Sequence, residues 1–181
     1  MLKPFHRLKC DNLEIIQQKV LSFIDADLKS YRTGWIFINT KELFQQIPEL
    51  VEYFKSLKLK PREASVTILY DDFPIHVDTL PVVAKINIPI SNTQGWSNRW
   101  YHIEQGVLES CPDVVDHLGF TKKDVSGAVD KMILKGEVLD QSDPIVFNSS
   151  IPHSVIKLNP THFPRVVLSI TVFNEPLELL K

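Results

Sequence analysis

Hydrophobic and polar positions change rhythm once along this chain, near Arg62. Before it the spacing is helical. In CDNLEIIQQKVLSFIDAD, Leu13, Ile16, Val20, Phe23 and Ile24 fall on one stripe of a helix, Asp11 can cap it, and Glu14 sits where a capping box wants an acid. TGWIFIN, residues 33–39, reads as a short strand. Thr40 then serves as N-cap for KELFQQIPELVEYFKSLKL. Pro48 must kink or divide that helix, because its ring removes a backbone donor and crowds the preceding turn.

Beyond Arg62 the apolar runs shorten to strand length. They fall near residues 63–70, 82–90, 98–104, 135–139, 144–148, 153–158 and 165–173, with Pro, Gly, Asn and Asp between them. One helical interruption is predicted over 109–134, where Thr121 and Asp124 form a capping box before VSGAVDKMIL. Helices followed by short strands predict a mainly β chain with N-terminal helices, an antiparallel sandwich or barrel for which a jelly roll is the natural candidate. Residues 1–181 are expected to form a single domain: a helical buttress over 1–60 and a β core over 63–173, with 109–134 as an insertion or lid.

Composition narrows the partners. Of 181 residues, 44% are hydrophobic and 23% charged, and the net charge of −2 gives no basic footprint for nucleic acid. KSLKLKPR, Lys55 to Arg62, is the one dense basic run and reads as a solvated helix end. Cys10 and Cys111 have no C-x-x-C spacing and read as free thiols of a reducing compartment. MLKPFHRLKCDNLE lacks the apolar core of a signal peptide, and no run approaches the roughly 18 apolar residues of a membrane span. A cytoplasmic location is the expectation.

The candidate chemistry begins in YDDFPIHVDTLP, residues 70–81. On an extended backbone His76 and Asp78 point to the same side with Cα atoms roughly 6.5 Å apart, which suits an imidazole and a carboxylate converging on one cation. Alone, an H-x-D is as well explained by a turn Asp after a surface His. The second half of the signal is DPIVFNSSIPHSVIKLNPTHFPRVVLSITVFN, where His153 opens one strand and Arg165 heads another. A returning hairpin is expected to bring the start of the last strand back beside the His153 strand.

The order H-x-D, distal His, Arg resembles the non-haem iron, 2-oxoglutarate-dependent oxygenase superfamily, whose double-stranded β-helix carries this pattern. The resemblance runs from about Ser65 to Phe173 and implies that His76, Asp78 and His153 are the metal triad and that Arg165 holds the far carboxylate of the co-substrate. Within the superfamily, ASVTILYDDFPIHVDTLPVVAKINIPI and PIVFNSSIPHSV are most similar to the aspartyl/asparaginyl β-hydroxylase type. That likeness implies co-substrate contacts from Ser65, Lys85 and Asn87. The type generally lacks a carboxylate at the second triad position, whereas this chain has Asp78. The implied cofactors are iron(II), 2-oxoglutarate and O2, with ascorbate as an external reductant; the implied products are succinate, CO2 and a hydroxylated small molecule or protein side chain. A cupin-like jelly roll using the metal for another chemistry, or only binding a ligand, is the alternative, and a metal-free interaction sandwich is a third.

The remaining candidates weigh differently. Lys85 and Asn87 share a face in VVAKINIPI, opposite Ala84, Ile86 and Ile88, and fit either a cavity wall or a solvated strand face. Ser65 fits a strand edge equally well. Trp100 and His102, near Trp96 and Tyr101, could line a substrate pocket, although strand aromatics more often pack. His6, His117 and His162 read as solvent-exposed. No Walker loop, G-x-G-x-x-G, H-E-x-x-H or nucleophile elbow occurs, which leaves nucleotide binding and serine hydrolysis without support.

Overall fold

The computed structural model describes residues 2–28, 34–78, 83–115, 121–173 and 176–181. In chain order these form β1 (Phe5–Arg7), α1 (Leu13–Leu28), β2 (Gly34–Ile38), α2 (Thr40–Gln46), α3 (Pro48–Ser56), β3 (Pro61–Leu69), β4 (Phe73–Asp78), β5 (Ala84–Ser91) and β6 (Trp96–His102). There follow α4 (Gln105–Ser110), β7 (Asp113–Val115), β8 (Thr121–Lys123), a 3-10 turn (Ser126–Lys131), β9 (Ile133–Leu139), β10 (Ile145–Asn148), β11 (His153–Lys157), β12 (Arg165–Val172) and a second 3-10 turn (Leu177–Leu180). Two six-stranded antiparallel sheets result, ordered β1-β10-β5-β12-β3-β2 and β7-β8-β4-β11-β6-β9. No helix of the described residues is long and apolar enough to cross a membrane.

Alternation along the first sheet separates the core from the cavity. Even-numbered residues of its central strands (Ala64, Val66 and Ile68; Ala84, Ile86, Ile88 and Ile90; Val166, Leu168 and Ile170) join one apolar cluster with Ile16, Val20 and Ile24 of α1 and Leu50 and Phe54 of α3. Odd-numbered residues of the same strands face the space between the sheets: Ser65 and Thr67, Lys85 and Asn87, Arg165, Val167, Ser169 and Thr171. A β-strand burying both faces reads as a nearly continuous apolar run, and β12 does so in RVVLSITV. The helices therefore make the first sheet rigid from behind. Lys19 of α1 and Glu49 of α3 add an ion pair at 2.6 Å, worth little where it is exposed.

Pro48 divides the second helical stretch as expected, standing at the first position of α3. The cap preceding it differs from the expectation. Asn39, not Thr40, caps α2 through a bond from Glu42 N to its Oδ1 (3.3 Å). Thr40 instead accepts from Ala64 N at 3.0 Å, fastening the helix start to β3. The first bond of α1 runs from Ile16 N to Asn12 O, so Asn12 rather than Asp11 holds the cap position.

The largest departure is 109–134. In place of a capped helix, Thr121 lies in β8, opposite Val115 of β7, and the hairpin adds to the second sheet alongside β4. Asp124 precedes only a 3-10 turn capped at Val125, and its carboxylate accepts from Ser126 N at 3.0 Å. Gly127 inside that turn weakens helix propagation. Strands β1 and β7, three residues each, are not among the expected strands, whereas β4 gives His76 and Asp78 the extended backbone expected of them, with Pro74 near its start. The basic run Lys55–Arg62 has its charged residues exposed, as the sequence implies. His117 lies outside the described residues.

Gly95 is sterically required. Gly95 has φ +75°, and a Cβ there would lie 2.5 Å from the backbone carbonyl of Asn159. Gly95→Ala is expected to cost about 2–4 kcal/mol of stability, from the left-handed backbone and the forced displacement of a packed chain. A lowered denaturation midpoint at unchanged m-value would verify it.

Candidate metal centre and anion pocket

Strands β4 and β11 lie side by side in the second sheet with His76 directly opposite His153. Asp78 is two residues beyond His76, so strand alternation returns it to the same face. The result is one cluster. The ligand atoms of His76, Asp78 and His153 lie within 4.8 Å of one another, each imidazole Nε2 being 3.8 Å from an Asp78 oxygen, His76 from Oδ1 and His153 from Oδ2.

Both imidazoles are oriented by the same local device. Nδ1 of His76 is 2.9 Å from the carbonyl of Pro74, and Nδ1 of His153 is 2.9 Å from that of Ile151, in each case two residues back along the chain. Carbonyl oxygen only accepts, so the proton sits on Nδ1 and the Nε2 lone pairs face inward, the tautomer a metal needs. Burial, with the neighbouring His153 second, holds His76 down at about 3, overcoming the opposing pull of Asp78. Burial likewise lowers His153. Desolvation pushes Asp78 upward, but Lys85 and the two imidazoles outweigh it and bring it to about 2. At neutral pH the cluster is two neutral imidazoles and one carboxylate. Phe73 and Phe147 flank it, with ring centroids 4.6 Å from His76 and 5.3 Å from His153.

The cluster opens into a cavity of about 220 Å³ between the sheets. Arg165 lies in that same cavity at 2% exposure. Its Nη2 donates to Asn98 Oδ1 at 2.8 Å and to Gln141 Oε1 at 3.3 Å. Among the described residues no carboxylate pairs with it, and burial alone draws the guanidinium down to about 10. Among the described residues, the buried donors Arg165 Nε and Asn98 Nδ2 have no hydrogen-bond partner. A buried cation with unused donors is costly unless an anion completes it. Asn98 precedes Trp100 by two residues on β6, and Trp100 lies opposite His153. The residue that anchors the guanidinium is thus two positions along β6 from the neighbour of His153.

A polar row crosses the first sheet beside it. Ser169 of β12 stands between Ser65 of β3 and Asn87 of β5 and donates to Asn87 Oδ1 at 2.6 Å. Lys85, two residues from Asn87, reaches across the cavity to form an ion pair with Asp78 Oδ2 at 2.7 Å.

Of the residues singled out from sequence, His76, Asp78, His153, Arg165, Lys85, Asn87, Ser65 and Trp100 all line this one cavity. His102 does not. It is exposed at the end of β6, opposite Ile133 of the edge strand β9. The cavity closes before reaching it, because Phe5 stacks on Trp100 at 4.7 Å. Trp96 is fully buried and lies outside the cavity lining. Sequence reasoning missed Asn98 and Gln141. The period-2 spacing of Trp96, Asn98 and Trp100 could have placed Asn98 on the inward face; nothing local marks Gln141, whose amide is set by bonds to the carbonyls of Asn87 and Asp143.

Neither protein-family models nor curated protein sequences match this chain. Solved structures do. The epimerase SnoN, in complex with Fe3+, alpha ketoglutarate and nogalamycin RO, superposes at TM-score 0.60 with 10% identity, over 94% of this chain and 78% of its own. AviO1 from Streptomyces viridochromogenes Tue57 gives 0.58 and 12%, over 96% and 90%. HygX from Streptomyces hygroscopicus, with nickel and 2-oxoglutarate bound, gives 0.55 and 11%, over 97% and 85%. At these identities the likeness is one of fold, and it extends over nearly the whole chain.

Proposed function

We propose that this chain is a non-haem iron(II), 2-oxoglutarate-dependent dioxygenase with a double-stranded β-helix core, and that it hydroxylates a small molecule or an exposed side chain. The observation that carries the reading is Arg165: a buried guanidinium without a carboxylate partner among the described residues, facing the cavity that holds His76, Asp78 and His153. A cupin of other chemistry has use for the three ligands but none for that cation. SnoN and HygX, structures of the same fold, hold a metal together with the keto acid.

The donor set fits iron(II). Two imidazoles and one carboxylate on one side of an ion leave neighbouring positions open for a chelating co-substrate and a diatomic gas. With 2-oxoglutarate and O2, iron would supply the oxidising power, yielding succinate and CO2 alongside the hydroxylated product. The protein supplies everything that directs it. Pro74 and Ile151 carbonyls fix the imidazoles, Arg165 offers a carboxylate the planar fork it matches, and Asn98 and Gln141 hold that fork in place. Ser65, Asn87 and Ser169 give the co-substrate a hydrogen-bonding floor, while Phe147 and Trp100 keep water from that end of the cavity. The presence of Asp78 supports the three-ligand superfamily over its aspartyl/asparaginyl branch.

Mixing the protein anaerobically with iron(II) and 2-oxoglutarate is expected to produce the weak visible charge-transfer band of a metal-chelated keto acid. It should vanish when succinate replaces 2-oxoglutarate. A spectrum unchanged by the keto acid, at concentrations where iron binds, would refute the assignment.

A further inference from the structure

The ion pair that Lys85 makes with Asp78 has a specific geometry. The Lys85 ammonium projects from the first sheet onto the ligand carboxylate of the second, 2.7 Å from Asp78 Oδ2. That oxygen is also the one 3.8 Å from His153 Nε2. A positive charge therefore stands against the carboxylate oxygen that faces His153. Asp78 and Lys85 are both largely enclosed, with side chains 20% and 26% exposed. Their strand ends are tied to one residue, since Ser149 O accepts from Asp78 N at 3.1 Å and Ser149 N donates to Val83 O at 2.9 Å.

Resting on the reading above, we propose that Lys85 is the resident counter-ion of the metal-free site. A loading divalent ion displaces its ammonium from Asp78, and the freed ammonium then holds the metal-binding end of the anionic co-substrate. Electrostatics gives the order. A carboxylate buried without a cation is costly, so the empty site needs Lys85 where it is. A doubly charged ion attracts the carboxylate more strongly than one ammonium does and repels that ammonium at short range. The flexible four-carbon stem lets the charge move without disturbing β5. The ammonium then meets the next negative group to arrive, the dianionic keto acid. Metal would bind first and make the co-substrate site; by linkage, the co-substrate would tighten the metal.

Removing the charge has opposite effects on the two ligands, which no merely structural role produces. In Lys85→Met, Mn(II) affinity, read from the free-ion electron paramagnetic resonance signal, is expected to rise by about tenfold or more, because the competing cation is gone. Calorimetric affinity of the Mn(II)-loaded protein for 2-oxoglutarate is expected to fall by about tenfold or more. The thermal midpoint of the metal-free variant should drop, and Mn(II) should raise it further than in the wild type. Lys85→Gln, which keeps a hydrogen-bond donor, gives the same pattern should the methionine variant fold poorly. Mn(II) affinity unchanged or lowered in both variants would reduce Lys85 to a tie between the sheets; an unchanged 2-oxoglutarate affinity would remove its co-substrate role. Wild-type protein that takes up neither Mn(II) nor 2-oxoglutarate would overturn the dioxygenase reading itself, a result distinct from either.

Discussion

Arg165→Lys is expected to weaken 2-oxoglutarate binding by about 10–100-fold while leaving metal affinity within about threefold. The guanidinium can give a carboxylate two parallel charge-assisted bonds, each contributing about 1.5–3 kcal/mol in a shielded site. Lysine keeps the charge but offers a point donor, and losing one such bond is about a tenfold change or more. Arg165→Met removes the charge as well, and co-substrate binding is expected to fall below calorimetric detection. Its effect on stability has the opposite sign. The ligand-free protein buries a cation with an unpartnered Nε and no carboxylate partner among the described residues, and replacing such a group with an apolar side chain of similar length is often neutral or stabilising. The methionine variant should melt at or above the wild-type midpoint, a stability gained at a binding site's expense. Parallel loss of metal and 2-oxoglutarate in Arg165→Lys would count against the assigned role.

Asp78→Ala and His76→Ala are each expected to lower iron(II) affinity by about a hundredfold or more and to abolish iron-dependent succinate formation. The backbone should survive both changes. β4 is held by pairing to β11 on one side and to β8 on the other, and neither ladder uses those side chains. The two variants should differ in stability. Asp78→Ala strands the Lys85 ammonium in the cavity, whereas His76→Ala removes a neutral ring and leaves the ion pair intact. Asp78→Ala should therefore melt lower than His76→Ala. Circular dichroism for the fold, calorimetry for the metal and succinate release for turnover check the three parts separately. Undiminished succinate formation in either variant would end the triad assignment.

The legible part of this site was the part written in short range. His76 and Asp78 share a face because strand geometry requires it, whereas the expected hairpin pairing of the His153 and Arg165 strands is not found: β11 lies in the second sheet and β12 in the first, so His153 and Arg165 meet across the cavity between them. Lys85 and Asn87 were placed on the correct face of β5 by alternation alone. What stayed hidden was held by distant chain. Asn98 and Gln141 meet Arg165 across 67 and 24 residues of sequence, and no local pattern records such a meeting. The hairpin β7–β8 was hidden for another reason. Its strands are three residues each, too short for a period to show, and their stability comes from β4, an edge that exists only after folding. His102, exposed at the end of β6 just past a register irregularity at Trp100/Tyr101, lies outside the cavity that Trp100 lines.

That same hairpin has a consequence for how selectivity can be altered. Val77 and Asp78 are paired to Lys123 and Lys122, and Lys122 lies over the rings of Trp35 and Phe73, both at 5.9 Å, on the cavity wall. The rim that greets an incoming molecule and the strand that carries two ligands are one piece of fabric. Substitutions at Lys122 would change what is admitted while the β8 backbone keeps β4 clamped; cutting β8 away would loosen the strand that presents His76 and Asp78.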